Sequence, residues 1–290
     1  MSLEQQVSAL VSAANNLTST VNGKINQIDA KVNEATAKVP EAIRKEVNKT
    51  FYIDAANGND NYGGSEANPL RTIDKAVSLG MAGGNVTLFL RRGQEHIGPS
   101  NFMLQSAAGK LSLVIGAYGS ELTRPLVKPA KSYYLDDANK VLATFARSSE
   151  SRSINIAFRF VDIETASLAD GEGHFADYGA FFCRGGGQEE LFEFNVAFHE
   201  SRITIKDTFL FGGYVGLVKL RMNKTDIVKA DGAKVDKLFV GYEGRDRYPK
   251  VIDGSRVTVT GFNVQTMEHV FCISPAEKDS IYNADSIVFS

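Results

Sequence analysis

Apolar side chains recur through the first forty residues at Leu3, Val7, Leu10, Ala14, Leu17, Val21, Ile25, Ile28, Val32, Ala35 and Val39. Their spacing alternates fours and threes, which puts them in one narrow stripe on an α-helix and predicts a coiled-coil seam. A helix packed on its own domain usually buries a wider face, so the stripe points to other copies of the same helix; folding back onto the body is the alternative. Leu17, Val21 and Ile25 follow at two successive fours, a stutter that locally unwinds a supercoil, with Gly23 inside it. Gly costs a helix about 1 kcal/mol relative to Ala. The flanking positions are mostly Ser, Thr, Asn and Gln, so few charge pairs fix the number of strands. Pro40 interrupts the stripe, and Glu41 to Val47 reads as a second short helical piece with Pro at its first turn.

From Phe51 onward the period changes. Short apolar runs at 86–90, 111–115, 141–146, 154–163, 191–198, 202–205, 217–222, 256–259 and 287–289 read as strands, many of them apolar on both faces. The division expected is a helical stem over 1–49 and a β-rich body over 50–290. Ser151-Arg152-Ser153-Ile154, Ser201-Arg202-Ile203 and Ser255-Arg256-Val257 form a weak echo spaced like two turns of a solenoid. At roughly 25 residues per turn the body would hold about nine or ten rungs.

The segment Phe51-Tyr-Ile-Asp-Ala-Ala-Asn-Gly-Asn-Asp-Asn-Tyr-Gly-Gly-Ser-Glu-Ala-Asn-Pro-Leu-Arg-Thr-Ile-Asp-Lys-Ala-Val77 joins a short strand, a Gly-Asn-Asp turn and a helix start. It resembles the opening of pectate-lyase-like right-handed parallel β-helices, whose first helix caps the open end of the solenoid. The resemblance implies a cap at about 51–85 and a first rung at Val86–Leu90. A coiled coil ahead of such a cap is similar to bacteriophage tail fibres and tailspikes. That likeness implies a homotrimer on the virion tail, made in the host cytoplasm. It also implies docking on other tail or baseplate proteins through the N-terminus, and binding of a bacterial surface polysaccharide.

Composition narrows the partners. The chain is 43% hydrophobic with a formal net charge of −2, and Lys and Arg are scattered among Asp and Glu, so no basic stripe speaks for nucleic acid. No run approaches the 18 or so apolar residues that span a bilayer, and no charged-then-apolar leader opens the chain. Cys183 and Cys272 lie in strand-like runs and read as buried thiols, with a disulfide the alternative; no metal site and no cofactor is expected.

The candidate chemistry concentrates downstream of residue 160. Asp162 and Glu164 share one strand face at about 6.5–7 Å, within the separation of an inverting glycosidase pair. They are the catalytic candidates if the protein is a polysaccharide hydrolase or lyase. The same alternation with Val161 and Ile163 also describes the solvated face of any half-exposed strand. Glycan binding is expected of His174, Asp177 and Tyr178 in a Gly-rich loop and of Tyr242, Arg245 and Tyr248, where rings alternate with charges. Gly185-Gly186-Gly187 is followed by Gln-Glu-Glu instead of the Gly-Lys-Ser/Thr of a phosphate loop, and no Gly-x-Ser-x-Gly elbow occurs. The function expected is attachment to the host surface, with depolymerisation or a purely structural tail role as alternatives.

Overall fold

A computed structural model describes residues 2–80, 83–98, 112–134, 137–148, 153–174, 179–184, 192–213, 216–241, 249–273 and 281–290. The chain divides into two units, Met1–Glu46 and Val47–Ser290.

The first unit is a single helix, α1, over Leu3–Val47. It runs through Pro40, so the break expected there does not form. A proline removes one backbone hydrogen bond, and a long helix absorbs that by bending at one turn. Ion pairs Glu34–Lys38 and Glu41–Lys45 flank the position, each one turn long. No residue of α1 is buried, and Leu3, Leu10 and Leu17 are 76%, 71% and 65% exposed.

The second unit is a solenoid of parallel strands. Its first face stacks Asn48–Ile53, Asn85–Arg91, Ser112–Tyr118, Ser153–Arg159, Phe192–His199 and the leading halves of Gly216–Lys229 and Lys250–Thr260, ending at Ile281–Tyr282. The second face stacks Glu95–Ile97, Leu126–Lys128, Asp162–Glu164, Arg202–Ile205, the trailing halves of those two long strands and Ile287–Phe289. A third, narrow face holds Ala146–Ser148, Phe182–Arg184, Phe211–Gly212 and Phe239–Val240. A small three-stranded sheet joins Ser132–Tyr134 antiparallel to Asp137–Leu142, which in turn pairs in parallel with Gly173–His174.

Register makes the core. Inward positions align from coil to coil, so like packs on like: Phe51, Leu88, Ile115, Phe158, Phe198 and Met222 form one column. Val127, Ile163, Ile203, Ile227 and Val259 form another. On the third face Phe182, Phe211 and Phe239 stack with centroids 5.1 and 5.0 Å apart. Cys183 and Cys272 are both buried thiols.

The coils are longer and fewer than the sequence implied. Val86 pairs with Leu113, Leu113 with Ile156, Ile156 with Val196, Val196 with Leu220 and Leu220 with Ile252, which are steps of 27, 43, 40, 24 and 32 residues. Excursions at the corners lengthen individual coils without disturbing the stack. The Ser-Arg echo does not mark the repeat, since Ile156 lies on the first face and Ile203 on the second, where it shares a column with Val259 and not Val257. The first rung is Asn48–Ile53, one coil earlier than expected, because that strand already pairs with Asn85–Arg91.

The opening motif works through close approach. Asp60 accepts hydrogen bonds from the Arg71 and Thr72 amides at 2.9 and 3.0 Å and from the Thr72 hydroxyl at 2.8 Å. Thr72 in turn caps helix α2, Ile73–Ser78, by accepting from the Lys75 amide at 3.1 Å, and α2 buries Ile73 and Ala76. Gly58 is held by space: a Cβ there would lie 2.1 Å from the Leu70 carbonyl oxygen.

Between the first and second faces the chain turns through one left-handed residue per coil. Phe160, Glu200, Lys224 and Arg256 all have φ between 49° and 58°, and the Phe160 and Glu200 amides donate to the carbonyls of His199 and Asn223 in the next coil at 2.9 Å. This conformation costs a non-glycine residue about 1–2 kcal/mol, offset by the ladder that it allows to continue. Phe211→Ala should therefore lower unfolding free energy by about 3–5 kcal/mol in urea titration, whereas Phe160→Gly, at a 38% exposed corner ring, should change it by about 1 kcal/mol or less. Equal losses would place the corner ring in the core.

His96 heads the second column, in register with Val127, and is 2% exposed. Its Nε2 bonds the Arg91 carbonyl at 3.1 Å, which assigns the proton to Nε2. Its Nδ1 is buried without a partner among the described residues. Burial holds the imidazole pKa below its ordinary value, so the unfolded chain takes the proton first. The stabilisation is complete above the ordinary histidine range near 6.5 and drains as pH falls below it. The wild-type midpoint in denaturant should thus fall between pH 7 and pH 5 more steeply than that of His96→Leu; parallel curves would contradict the buried neutral ring.

Candidate functional site

The edge between the second and third faces gathers carboxylates and lysines from several coils. Strand Asp162–Glu164 buries Ile163 completely, which turns both flanking carboxylates outward. Asp162 Oδ1 accepts from the Arg202 amide at 2.7 Å and pairs with Arg124 at 3.2 Å, tying the coils on either side. Glu164 lies between Lys206 at 2.9 Å and Lys128 at 3.4 Å, and its side chain is only 15% exposed. Glu164 lines an open hollow of about 520 Å³ with Lys128, Lys131 and Lys206.

A second, larger hollow of about 850 Å³ begins at Leu168 and Asp207, where the first ends at Ser167 and Lys206. His174 lines it, edge-on to Phe209 with centroids 5.0 Å apart. Facing it from later coils are Asp236 and His269, whose Oδ2 and Nε2 are 2.8 Å apart. His174 and Glu164 therefore fall in adjoining hollows and not in one. Asp177, Tyr178, Tyr242, Arg245 and Tyr248 lie outside the described residues.

Three carboxylates hold this edge together by consuming backbone donors. Asp207 accepts from the Leu168 amide at 2.8 Å and the Lys234 amide at 2.9 Å, so one side chain staples the coils before and after it. Asp236 repeats the device on the Asn263 amide at 2.9 Å and adds Lys229 at 2.9 Å. Burial pulls the Asp236 pKa up, but the Asn263 amide, Lys229 and His269 outweigh it and hold the carboxyl below its usual value. Glu172 binds Lys131 at 2.6 Å, the Ala169 amide at 2.7 Å and the Tyr133 hydroxyl at 2.7 Å. Lys131 first, then that amide and the phenol, lower its pKa to about 2.

Asp236 and His269 escaped the sequence reading because they reach the hollow from coils whose register local patterning does not reveal. The available signal was Thr266 ahead of Met267-Glu268-His269, a helix N-cap that Thr266 supplies by accepting from the His269 amide at 3.3 Å.

No protein-family model matches the chain, and no curated protein matches it. Among solved structures, a rhamnogalacturonan lyase is similar at 11% identity and a TM-score of 0.33, over 74% of this chain and 69% of that one. The parallel solenoid accordingly rests on the strand register itself.

Glu172 gives a direct check of this geometry. Its contribution is present above about pH 4.5 and drains as pH falls toward its lowered pKa of about 2. The Ala169 amide resonance should titrate with a midpoint near that value and lose the transition in Glu172→Gln; a midpoint near the ordinary 4.5 would mean that Lys131 and Tyr133 do not hold it.

Proposed function

We propose that this chain is a self-associating attachment protein of the bacteriophage tail-fibre and tailspike kind, which binds a surface glycan on the edge of its β-helix. The observation that carries the reading is the exposed seam of α1. Leu3, Val7, Leu10, Leu17, Val21, Ile25, Ile28, Val32 and Val39 are all solvent-exposed along one helix, and a stripe of that length is stabilised only by burial against partners. The body, by contrast, closes its own columns.

The seam mixes preferences. Val7 and Val21 alternating with Leu10 and Leu17 suit two strands, whereas Ile25 followed by Ile28 shifts the preference toward three. We favour the trimer, held through the isoleucine step, with the N-terminus as the docking end on a virion.

Binding without cleavage is the reading that we favour for the body. Asp162 Oδ1 meets Arg124 and the Arg202 amide, and Glu164 Oε1 meets Lys128 and Lys206, a set of ties to neighbouring coils that suits lateral bracing better than proton transfer to a glycosidic oxygen. The second reading, a depolymerase, draws on the Asp236–His269 pair in an open hollow, the arrangement of a general base and its orienting carboxylate.

Light scattering of the full chain should give about three chains per particle, and of a form beginning at Lys49 one chain; equal masses per particle would remove the assembly role. Incubation with bacterial capsule or lipopolysaccharide should release neither reducing ends nor unsaturated uronates. Release that Glu164→Gln or His269→Ala abolished would establish the depolymerase instead.

A further inference from the structure

The seam of α1 is a repeat of eighteen residues. Leu3, Val7, Leu10, Ala14 and Leu17 return as Val21, Ile25, Ile28, Val32 and Ala35, and Val21 and Ile25 return once more as Val39 and Ile43. Eighteen residues are five turns of an α-helix at about 3.6 residues per turn, roughly 27 Å long. A pattern of that period stays on one side of a straight helix. A seven-residue repeat instead drifts and imposes a left-handed supercoil, and an eleven-residue repeat imposes a right-handed one. The two stutters, at Leu17, Val21 and Ile25 and again at Ala35, Val39 and Ile43, bring the average spacing back to the period of the helix itself. Because α1 runs unbroken through Pro40, Ile43, 57% exposed, continues the stripe.

Charge speaks against the supercoiled alternative. Carrying the seven-residue spacing of Leu3, Leu10 and Leu17 forward would place Lys24, Lys31 and Lys38 in the seam, and burying ammonium groups among apolar side chains is costly. On the eighteen-residue repeat these lysines fall along one flank of the stripe, and Asp29 falls on the other. Lys38 meets Glu34 and Lys24 meets Gln27 within the chain; among the described residues Asp29 has no partner in its own chain. In parallel packing the unlike flanks of neighbouring helices meet and residues five apart come together, which brings Lys24 of one copy beside Asp29 of the next. Antiparallel packing sets like flanks together and gives Asp29 no lysine. The same pair fixes the register. A slip by one repeat would match the apolar pattern again, but it would put Val11 or Val47 where Asp29 stands.

Resting on the self-association reading, we infer that the partner of this surface is further copies of α1, laid parallel and in register as a straight bundle, with Lys24 of each copy against Asp29 of its neighbour. The arrangement is the same for two copies or three, since it depends only on the period of the stripe and the sign of its flanks. Straight packing keeps the apolar positions from Leu3 to Ile43 in contact without winding the helices about one another.

Single cysteines placed in α1 of the full chain, labelled with a maleimide against the background of the buried Cys183 and Cys272, test the period. Val32→Cys and Val39→Cys should label about tenfold or more slowly than Lys31→Cys and Lys38→Cys. The reverse order would mark a seven-residue seam and overturn the straight bundle. Charge reversal tests the direction and register. Lys24→Asp and Asp29→Lys should each raise the concentration at which copies associate, by about threefold or more, and the two reversals combined should return it toward the wild-type value. Single reversals that the combination does not rescue, or that change nothing, would overturn the parallel, in-register pairing. Light scattering on each variant separates the two levels of failure. Several chains per particle with all four cysteines labelling equally fast would sink the straight bundle alone, whereas one chain per particle for the wild type would remove self-association itself.

Discussion

Each coil of this body is complete only against the next one. The strands on a face donate and accept along the stack, and the side chains between them meet their equivalents one coil away, as Phe182 meets Phe211 and Phe211 meets Phe239 at 5.1 and 5.0 Å. A coil alone would leave both its backbone edges and half of each buried ring in water. Register is therefore the constraint from which the rest follows. Moving one strand by a single residue would turn Ile163 out and Asp162 in, and would misalign every column beyond it. The left-handed corner residues belong to the same constraint. Phe160, Glu200, Lys224 and Arg256 accept an unfavourable φ because a one-residue turn keeps the neighbouring coils in step, whereas a looser corner would shift the register.

The corner between the second and third faces solves the same problem with side chains. Its loops vary in length, so backbone donors there have no fixed partner in the next coil. Asp207 and Asp236 supply one, each reaching an amide in a neighbouring coil. Structural need thereby sets the chemistry of the surface: the carboxylates that staple the coils bring lysines beside them, as Lys229 meets Asp236 and Lys206 meets Glu164.

How much of this was legible from the sequence depends on how local each feature is. The α1 stripe could be read because its period of three and four lies within a few residues. Pro40 was misjudged because one missing hydrogen bond weighs little in a helix of 45 residues. Strand-forming runs were visible as apolar segments, but their partners were not, since coil steps between 24 and 43 residues leave no fixed offset for a pattern to repeat on. The Ser-Arg echo shows the hazard: three similar strings fell on two different faces. At the candidate site, the outward alternation of Asp162 and Glu164 and the polar character of the His174 loop were accessible. Asp207, Asp236 and His269 were not, because their meaning depends on which coil lies beside which. Asp60 was recognised as part of a turn, yet its grip on Arg71 and Thr72 follows only once residues eleven and twelve positions on are brought back beside it.

The two units bury apolar surface by opposite means, and that contrast bears on what the molecule is for. In the body, columns such as Val127, Ile163, Ile203 and Ile227 are each fully buried by their own chain, so folding is finished within one copy. In α1 nothing is buried, and the apolar positions recur on a single side for some forty residues. A polar helix could have served as a spacer at lower risk of aggregation. On the proposed reading, leucine, isoleucine and valine recur at every third or fourth position because identical helices match that spacing. The self-association proposed above would multiply whatever the body binds. Several modest contacts held together act as one strong one when each is linked to the next, so a weak surface site gains the most from being presented in several copies.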